Sequence, residues 1–234
     1  MNISSALEYN SKQCFSAEVI QIIQSEVGAS LTKVFDEETI EKISAWQTSH
    51  QLESDGKLGR KTLEAMISDL KEQKKLGEAV ALEQHLNRMQ EINIKAFLKF
   101  IRYAEHKRED DGVYFILYGG ETFSDTTKHP NKTVKKWGKE SSAAGAYQIL
   151  SSSWEEAKRK GKVVNFTASE QDKYAIWKLA TRGAMKYVKI GNIEKAIATL
   201  RQEWASLPGA SQSKMTMSEA KQHFQKYVKE YSRP

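Results

Sequence analysis

The sequence predicts a mainly α chain of the α+β class, built as two helical domains of which the second carries one small β-hairpin. Three observations predict it. Apolar residues recur at helical spacing along much of the chain, as in Phe15, Val19, Ile22, Ile23 and Val27, and again in Ile94, Leu98 and Ile101. Two short β-rich runs, residues 113–118 and 121–124, flank Gly119-Gly120, whose freedom at positive φ suits a two-residue turn. The charge also divides the chain. Residues 1–91 carry 10 Lys and Arg against 15 Asp and Glu, and residues 92–234 carry 26 against 15, for +6 in all.

Taken in order, residues 1–14 read as a loose polar tail and 15–70 as a first domain. A helix from Phe15 should end at Gly28, a residue suited to the left-handed cap. Asp36, followed by Thr39 and Ile40, marks the next helix start, which Ile43 and Trp46 continue. Asp55-Gly56-Lys57-Leu58 is a turn, and after Gly59 a third helix buries Leu63, Met66, Ile67 and Leu70, with Thr62 as a cap. Residues 71–91 hold no Pro and many strong helix formers, so they read as a charged helical connector with Gly77 as its weak point. The second domain covers 92–234. After its first helix and the hairpin, helices are expected near 148–160, 169–188, 192–203 and 217–231, and Pro130 keeps the intervening loop irregular.

Several functional classes are excluded. One cysteine, Cys14, permits neither an internal disulfide nor a Cys-based zinc site, and the five histidines show no ligand spacing, so no metal and no cofactor is expected. The opening MNISSALEYNSKQ has no basic and then apolar run, so no signal peptide is predicted, and no segment is apolar enough for membrane insertion. The basic second half suits an anionic polymer. Nucleic acid is the weaker choice, because no DNA- or RNA-binding signature accompanies the charge.

Glu105 is the residue that calls for chemistry. It follows Ile101 by four positions on the apolar stripe of its helix, close to the helix C-terminus. Desolvation and the helix dipole both disfavour its charge there, which is how a carboxylic acid is kept protonated for general acid work. Read alone, the same residue also fits a helix-end Glu that reaches into water.

The run ETIEKISAWQTSHQLESDGKLGRKTLEAM resembles the small three-helix peptidoglycan-binding domain, with Trp46, Gln47, Leu52, Asp55, Gly56, Leu58, Gly59, Thr62 and Leu63 in register. That family commonly has Pro where Arg60 stands. Trp46, Leu52 and Leu63 also read simply as core.

In the second domain, Ala104-Glu105, the run Tyr118 to Asp125, His129-Pro130, Ala144-Gly145-Ala146-Tyr147-Gln148 and Trp204-Ala205-Ser206-Leu207-Pro208-Gly209-Ala210 stand in the order of the lambda-type phage endolysins. This resemblance covers roughly residues 96–210. It implies a lysozyme-like fold and cleavage of the β-1,4 bond between N-acetylmuramic acid and N-acetylglucosamine, mainly as a lytic transglycosylase that leaves 1,6-anhydro ends. It also places the catalytic Glu on Glu105.

The supporting residues carry two readings each. Gln148 and Tyr147 are candidates to bind substrate or else open the next helix, and Gly145 to let backbone pass close to a sugar. Glu121 and Asp125 are either surface charges or auxiliary carboxylates. Trp137 is the aromatic expected to face glycan, while Trp154, Trp177 and Trp204 read as core. The chain departs from the phage pattern at His106, where Gly is expected, at Ser211-Gln212, where a Tyr is expected, and in a shortened loop around residues 106–114. A hydrolytic muramidase on the same bond, a non-catalytic wall-binding structural protein and a nucleic-acid binder remain as rivals. The expected partner is peptidoglycan, reached by a monomer made in the cytoplasm. Delivery would use a holin-type pore, or a secretion system with its immunity protein.

Overall fold

A computed structural model describes residues 1–233, which form two compact units, residues 1–92 and 93–233. The first holds α1 (Ile3–Ser11), α2 (Ala17–Val27), α3 (Glu37–Ser49), α4 (Arg60–Glu72) and the first part of α5 (Leu76–His106). The expected loose tail is therefore corrected. Asn2 caps α1 through Ser5 N, and α1 buries Ala6 and Asn10. The Asn10 amide donates to Gly56 O at 3.0 Å and accepts from Leu58 N at 2.8 Å, which clamps α1 onto the 55–58 turn.

The helix signals operate as the local chemistry dictates. Ser16 caps α2, which ends on Gly28 at φ +69, and Asp36 Oδ1 accepts from Thr39 N at 2.8 Å to start α3. Thr62 is not the cap of α4. Gly59 holds that position, and the Thr62 hydroxyl is buried among hydrogen bonds of its own.

Those bonds belong to a repeat that the sequence hides. Gln47 Nε2 lies within 3.2 Å of Asp55 Oδ1, Lys57 O and Thr62 Oγ1, and its Oε1 accepts from Gly56 N. Gln24 does the same with Thr32 Oγ1, Val34 O and Thr39 Oγ1, and accepts from Lys33 N. Each partner in one set lies 23 residues from its counterpart in the other. The unit is thus a tandem helix–loop–helix whose loops are each held by one buried amide, satisfying backbone groups that would otherwise be orphaned. Gly56 (φ +72) in the second loop matches Lys33 (φ +64) in the first.

The second unit is organised around the C-terminal half of α5. Ala96, Phe97, Phe100 and Ile101 are fully buried and Ala104 nearly so. Around them pack α6 (Ser151–Arg159), α7 (Ala168–Thr181), α8 (Met185–Lys189), α9 (Ile193–Leu200) and α10 (Met217–Tyr231). Trp154 crosses Phe166 edge-on at 4.7 Å, and both are buried, as is Trp204; Trp177 packs against the same core from its rim. The helix expected over 169–188 breaks into α7 and α8, because Gly183 at φ +74, just past the Arg182 cap, turns the chain out of the first.

The β-structure also differs from expectation. Residues 111–115 form a short 3-10 helix, and the predicted hairpin is reduced to one bridge, Ile116 with Thr122, around Gly119 and Gly120 at φ +89 and +98. The paired strands are β1 (Val134–Lys136) and β2 (Lys139–Ser141), antiparallel and joined by Trp137-Gly138, both at positive φ. An Asn-Gly or Asp-Gly turn would have been legible; Trp-Gly is not.

Candidate functional site

Three segments converge on Glu105: the end of α5, the 144–149 turn and the 204–207 loop. The turn is narrow, closed by Ala144 N to Ile149 O at 3.0 Å and Gln148 N to Gly145 O at 3.1 Å, which is why α6 starts at Ser151 rather than at Gln148. His106 Nε2 meets Gly145 O at 3.1 Å, tying the turn to the helix end. Trp204 Nε1 donates to Tyr147 O at 3.1 Å, tying the loop to the turn. Ser206 Oγ donates to Glu105 Oε1 at 2.5 Å, tying the loop to the carboxyl. Each side of this triangle fixes the other two.

Burial raises the Glu105 pKa from 4.5 to about 7, outweighing the Ser206 hydrogen bond and the Lys107 charge, both of which favour the anion. The same burial holds the neighbouring His106 below its ordinary value, so the imidazole is neutral near pH 7. The His106 ring is therefore neutral and engaged with a carbonyl, and the cation that acts on the Glu105 carboxyl is Lys107.

The other predicted residues divide. Gln148 sits in the left-handed region (φ +46), and its Nε2 donates to Gly145 O and Ile116 O, so it belongs to the turn against the Glu105 helix. Gly145 (φ +75) has a nearer reason for being glycine than a sugar ring: a Cβ there would lie 2.1 Å from Gln171 Oε1. That Gln171 side chain holds Ala146 N, Tyr114 O and Phe166 O. Tyr147 does not offer its ring for stacking. It is 1% exposed, and its hydroxyl donates to Asp172 Oδ1 at 2.5 Å. Arg102 and Tyr114 reach the same carboxylate oxygen at 3.4 and 2.8 Å.

Glu121 and Asp125 stand on open surface. The first pairs with Lys132 at 2.8 Å and the second accepts from Thr127 N and Oγ1, and both are held below the usual carboxylate range by those partners. They remain anions across the neutral range and cannot serve as acids. Trp137, at the tip of the β1–β2 hairpin, is 73% exposed, with Tyr118 edge-on at 5.7 Å and Lys136 over its ring.

In the first unit, Trp46 is buried and stacks on His50 at 3.8 Å, and Gln47, Asp55, Gly56 and Thr62 form the second amide-held loop. These residues build the domain. Among the described residues no cluster of His, Cys, Asp and Glu could hold a metal, and no helix is long and apolar enough to cross a membrane. Reading the sequence missed Ser206 and the Arg102–Asp172 cluster. Ser206 lies in the quoted Trp-Ala-Ser-Leu-Pro block, but nothing there says which side chain its hydroxyl meets.

Residues 95–232 match the family model described as Endolysin, more than half of the chain. The chain belongs to the Endolysin family. Residues 24–66 match the putative peptidoglycan binding domain. Within the family, the chain is 37% identical over 131 residues to the endolysin of Escherichia phage lambda, covering 52% of this chain and 82% of the relative. It is 33% identical over 133 residues to that of Escherichia phage P2, covering 50% and 81%. Among solved structures it resembles the bacteriophage lambda lysozyme complexed with a chitohexasaccharide, at TM-score 0.52 and 30% identity, over 60% of this chain and 94% of that one. This endolysin is a peptidoglycan-degrading, glycoside-cleaving enzyme with a lysozyme-like fold.

Proposed function

We propose that this endolysin is a lytic transglycosylase in which Glu105 acts first as acid and then as base. The observation that carries the reading is the Glu105 carboxyl, half protonated near pH 7 and pinned through one oxygen by Ser206. With Oε1 occupied by the serine, the proton resides on Oε2, and this is the oxygen that meets the glycosidic bond. Glu105 passes that proton to the leaving sugar oxygen, and the muramoyl N-acetyl group stabilises the cation at C1. The C6 hydroxyl then closes on C1 and returns its proton to the Glu105 carboxylate, leaving the enzyme as it began. An attached hydroxyl outcompetes water through proximity.

Retaining and inverting hydrolases place a second carboxylate ~5 Å or roughly 6.5–9.5 Å from the acid. Glu121 and Asp125, the candidates for that role, stand on open surface and pair with Lys132 and Thr127 rather than with any residue that holds Glu105 in place. This supports the single-carboxyl route. Gln148 and Trp137 are assigned to glycan contact, Gln148 from the turn and Trp137 from the hairpin tip. The N-terminal unit tethers the enzyme to the wall and raises its local concentration there. The chain acts as a monomer on periplasmic peptidoglycan, reaching it through a holin-type pore or as an effector of a secretion system, and a neighbouring immunity gene would mark the second route.

The test is turbidity loss of purified sacculi with wild type and Glu105→Gln, followed by mass analysis. Fragments one water lighter than reducing ends support the proposal. Reducing ends instead make the enzyme a muramidase, and undiminished clearing by Glu105→Gln removes the acid from this residue.

A further inference from the structure

In the N-terminal unit a groove of about 490 Å³ lies between α4 and the part of α5 that precedes residue 92. Ile67 and Leu86 supply its apolar lining, and the Asn87 and Gln90 amides lie along the α5 side. Its two ends are ionic. Arg60 pairs with Glu64 at 2.7 Å, and Lys71 of α4 pairs with Glu83 of α5 at 2.6 Å.

We propose that this groove binds the stem peptide of peptidoglycan, an inference that rests on the reading of this unit as the wall-binding module. Each end offers a cation beside a carboxylate, so the ligand it fits carries both signs. A stem peptide does, with its carboxylates and the free ammonium of its diamino acid, whereas a polyanion would meet Glu64 and Glu83. No aromatic side chain lines the groove, so a glycan strand would find no ring face to stack on. The amides match peptide bonds, and Ile67 and Leu86 match alanine methyls.

Length agrees. Arg60 to Lys71 spans eleven helical steps, roughly 16 Å at ~1.5 Å each, and four extended residues reach roughly 13–14 Å. Both ion pairs are exposed, and pairs of that kind contribute little, so a ligand opens them at small cost. Of the lining residues only Arg60 and Glu64 fall within residues 24–66, so the α5 wall and the far end of the α4 wall come from outside the segment that matches the binding-domain family.

The test uses full-length Glu105→Gln, which leaves sacculi undigested, and compares intact sacculi with amidase-treated glycan stripped of its peptides. Retention on intact sacculi should exceed that on stripped glycan by about tenfold, and free L-Ala-γ-D-Glu-meso-diaminopimelyl-D-Ala should compete. The charge-swapped pair Lys71→Glu with Glu83→Lys keeps the ion pair and the fold while reversing the polarity of one end. It should weaken tetrapeptide binding about tenfold at unchanged Tm. Equal retention on both polymers, or a swap without effect on tetrapeptide binding, overturns the groove assignment while leaving wall binding intact. A chain that sediments with neither polymer overturns the wall-binding reading beneath it.

Discussion

Replacing Glu105 by Gln should abolish cleavage and, at alkaline pH, make the enzyme more stable. The sign follows from linkage. The folded pKa of about 7 lies above the 4.5 of the unfolded chain, so below about pH 4.5 both states hold the proton and nothing is lost. Between 4.5 and 7 the unfolded chain releases a proton that the folded protein retains, and folding is penalised increasingly. Above 7 the penalty is complete. At about 1.4 kcal/mol per pKa unit the full shift is worth about 3 kcal/mol, or about 2 after allowance for the partial exposure of the side chain. Gln removes the ionisation and can still accept from Ser206. Urea titrations followed by near-UV dichroism report on the second unit, which holds four of the five tryptophans. The stability of Glu105→Gln minus that of wild type should rise by about 2 kcal/mol between pH 4.5 and 8, then level off. A difference that stays flat with pH would mean that the carboxyl titrates as an ordinary exposed group, and the reasoning about the acid would fall with it.

Ser206→Ala removes a hydrogen bond that favours the anion, so the Glu105 pKa should rise further and the alkaline limb of the activity profile should move to higher pH, while kcat falls about tenfold. Loss of kcat with an unmoved pH profile would reduce Ser206 to packing. Trp137→Asn places a residue tolerant of positive φ at the hairpin tip, and should stabilise the turn by up to about 1 kcal/mol while raising KM on sacculi. An unchanged KM would remove Trp137 from glycan contact. Gln24→Ala and Gln47→Ala should each cost about 2–4 kcal/mol of first-unit stability, because each strands the same set of loop groups. Thermal unfolding of the two variants checks this, and a neutral result for either would deny the equivalence of the loops. Gly145→Ala should destabilise the second unit by more than about 2 kcal/mol, since the new methyl meets the Gln171 amide at a backbone already in the left-handed region. Denaturant midpoints read that loss.

What was legible in the sequence depended on whether the signal was local. Asp36 and Gly28 announce helix ends because a cap is made by the residue itself and its neighbours. Glu105 stands out because helical spacing fixes which face it shares with Ile101. The α1 helix was missed because ISSALEYNS has too few apolar positions to look amphipathic, and its anchorage is an amide meeting a turn 46 residues away. The repeat was missed for a related reason. Only Gln and Thr are shared between the two loops, and Lys33 takes the backbone conformation that Gly56 announces openly. Tyr147 was misjudged because the sequence cannot show that Arg102, Tyr114 and Asp172 close around its hydroxyl.

The Arg102–Asp172 cluster also explains how an acid with so high a pKa stays in place. A protonated carboxyl forms weaker hydrogen bonds than an anion and cannot organise its own surroundings through charge. The rigidity must therefore come from groups that do not titrate with it. Asp172 gathers the Arg102 guanidinium and the Tyr114 and Tyr147 hydroxyls on one oxygen, and the Tyr147 carbonyl in turn receives the Trp204 indole. Arg102 lies one helical turn before Glu105, and Ser206 lies two residues after Trp204, so this network fixes both the helix that carries the acid and the loop that orients it. Charge is concentrated at Asp172, where it is satisfied, while at Glu105 burial outweighs the Lys107 charge that pulls the pKa down. The division of labour places the electrostatics that hold the fold one turn away from the electrostatics that make the proton available.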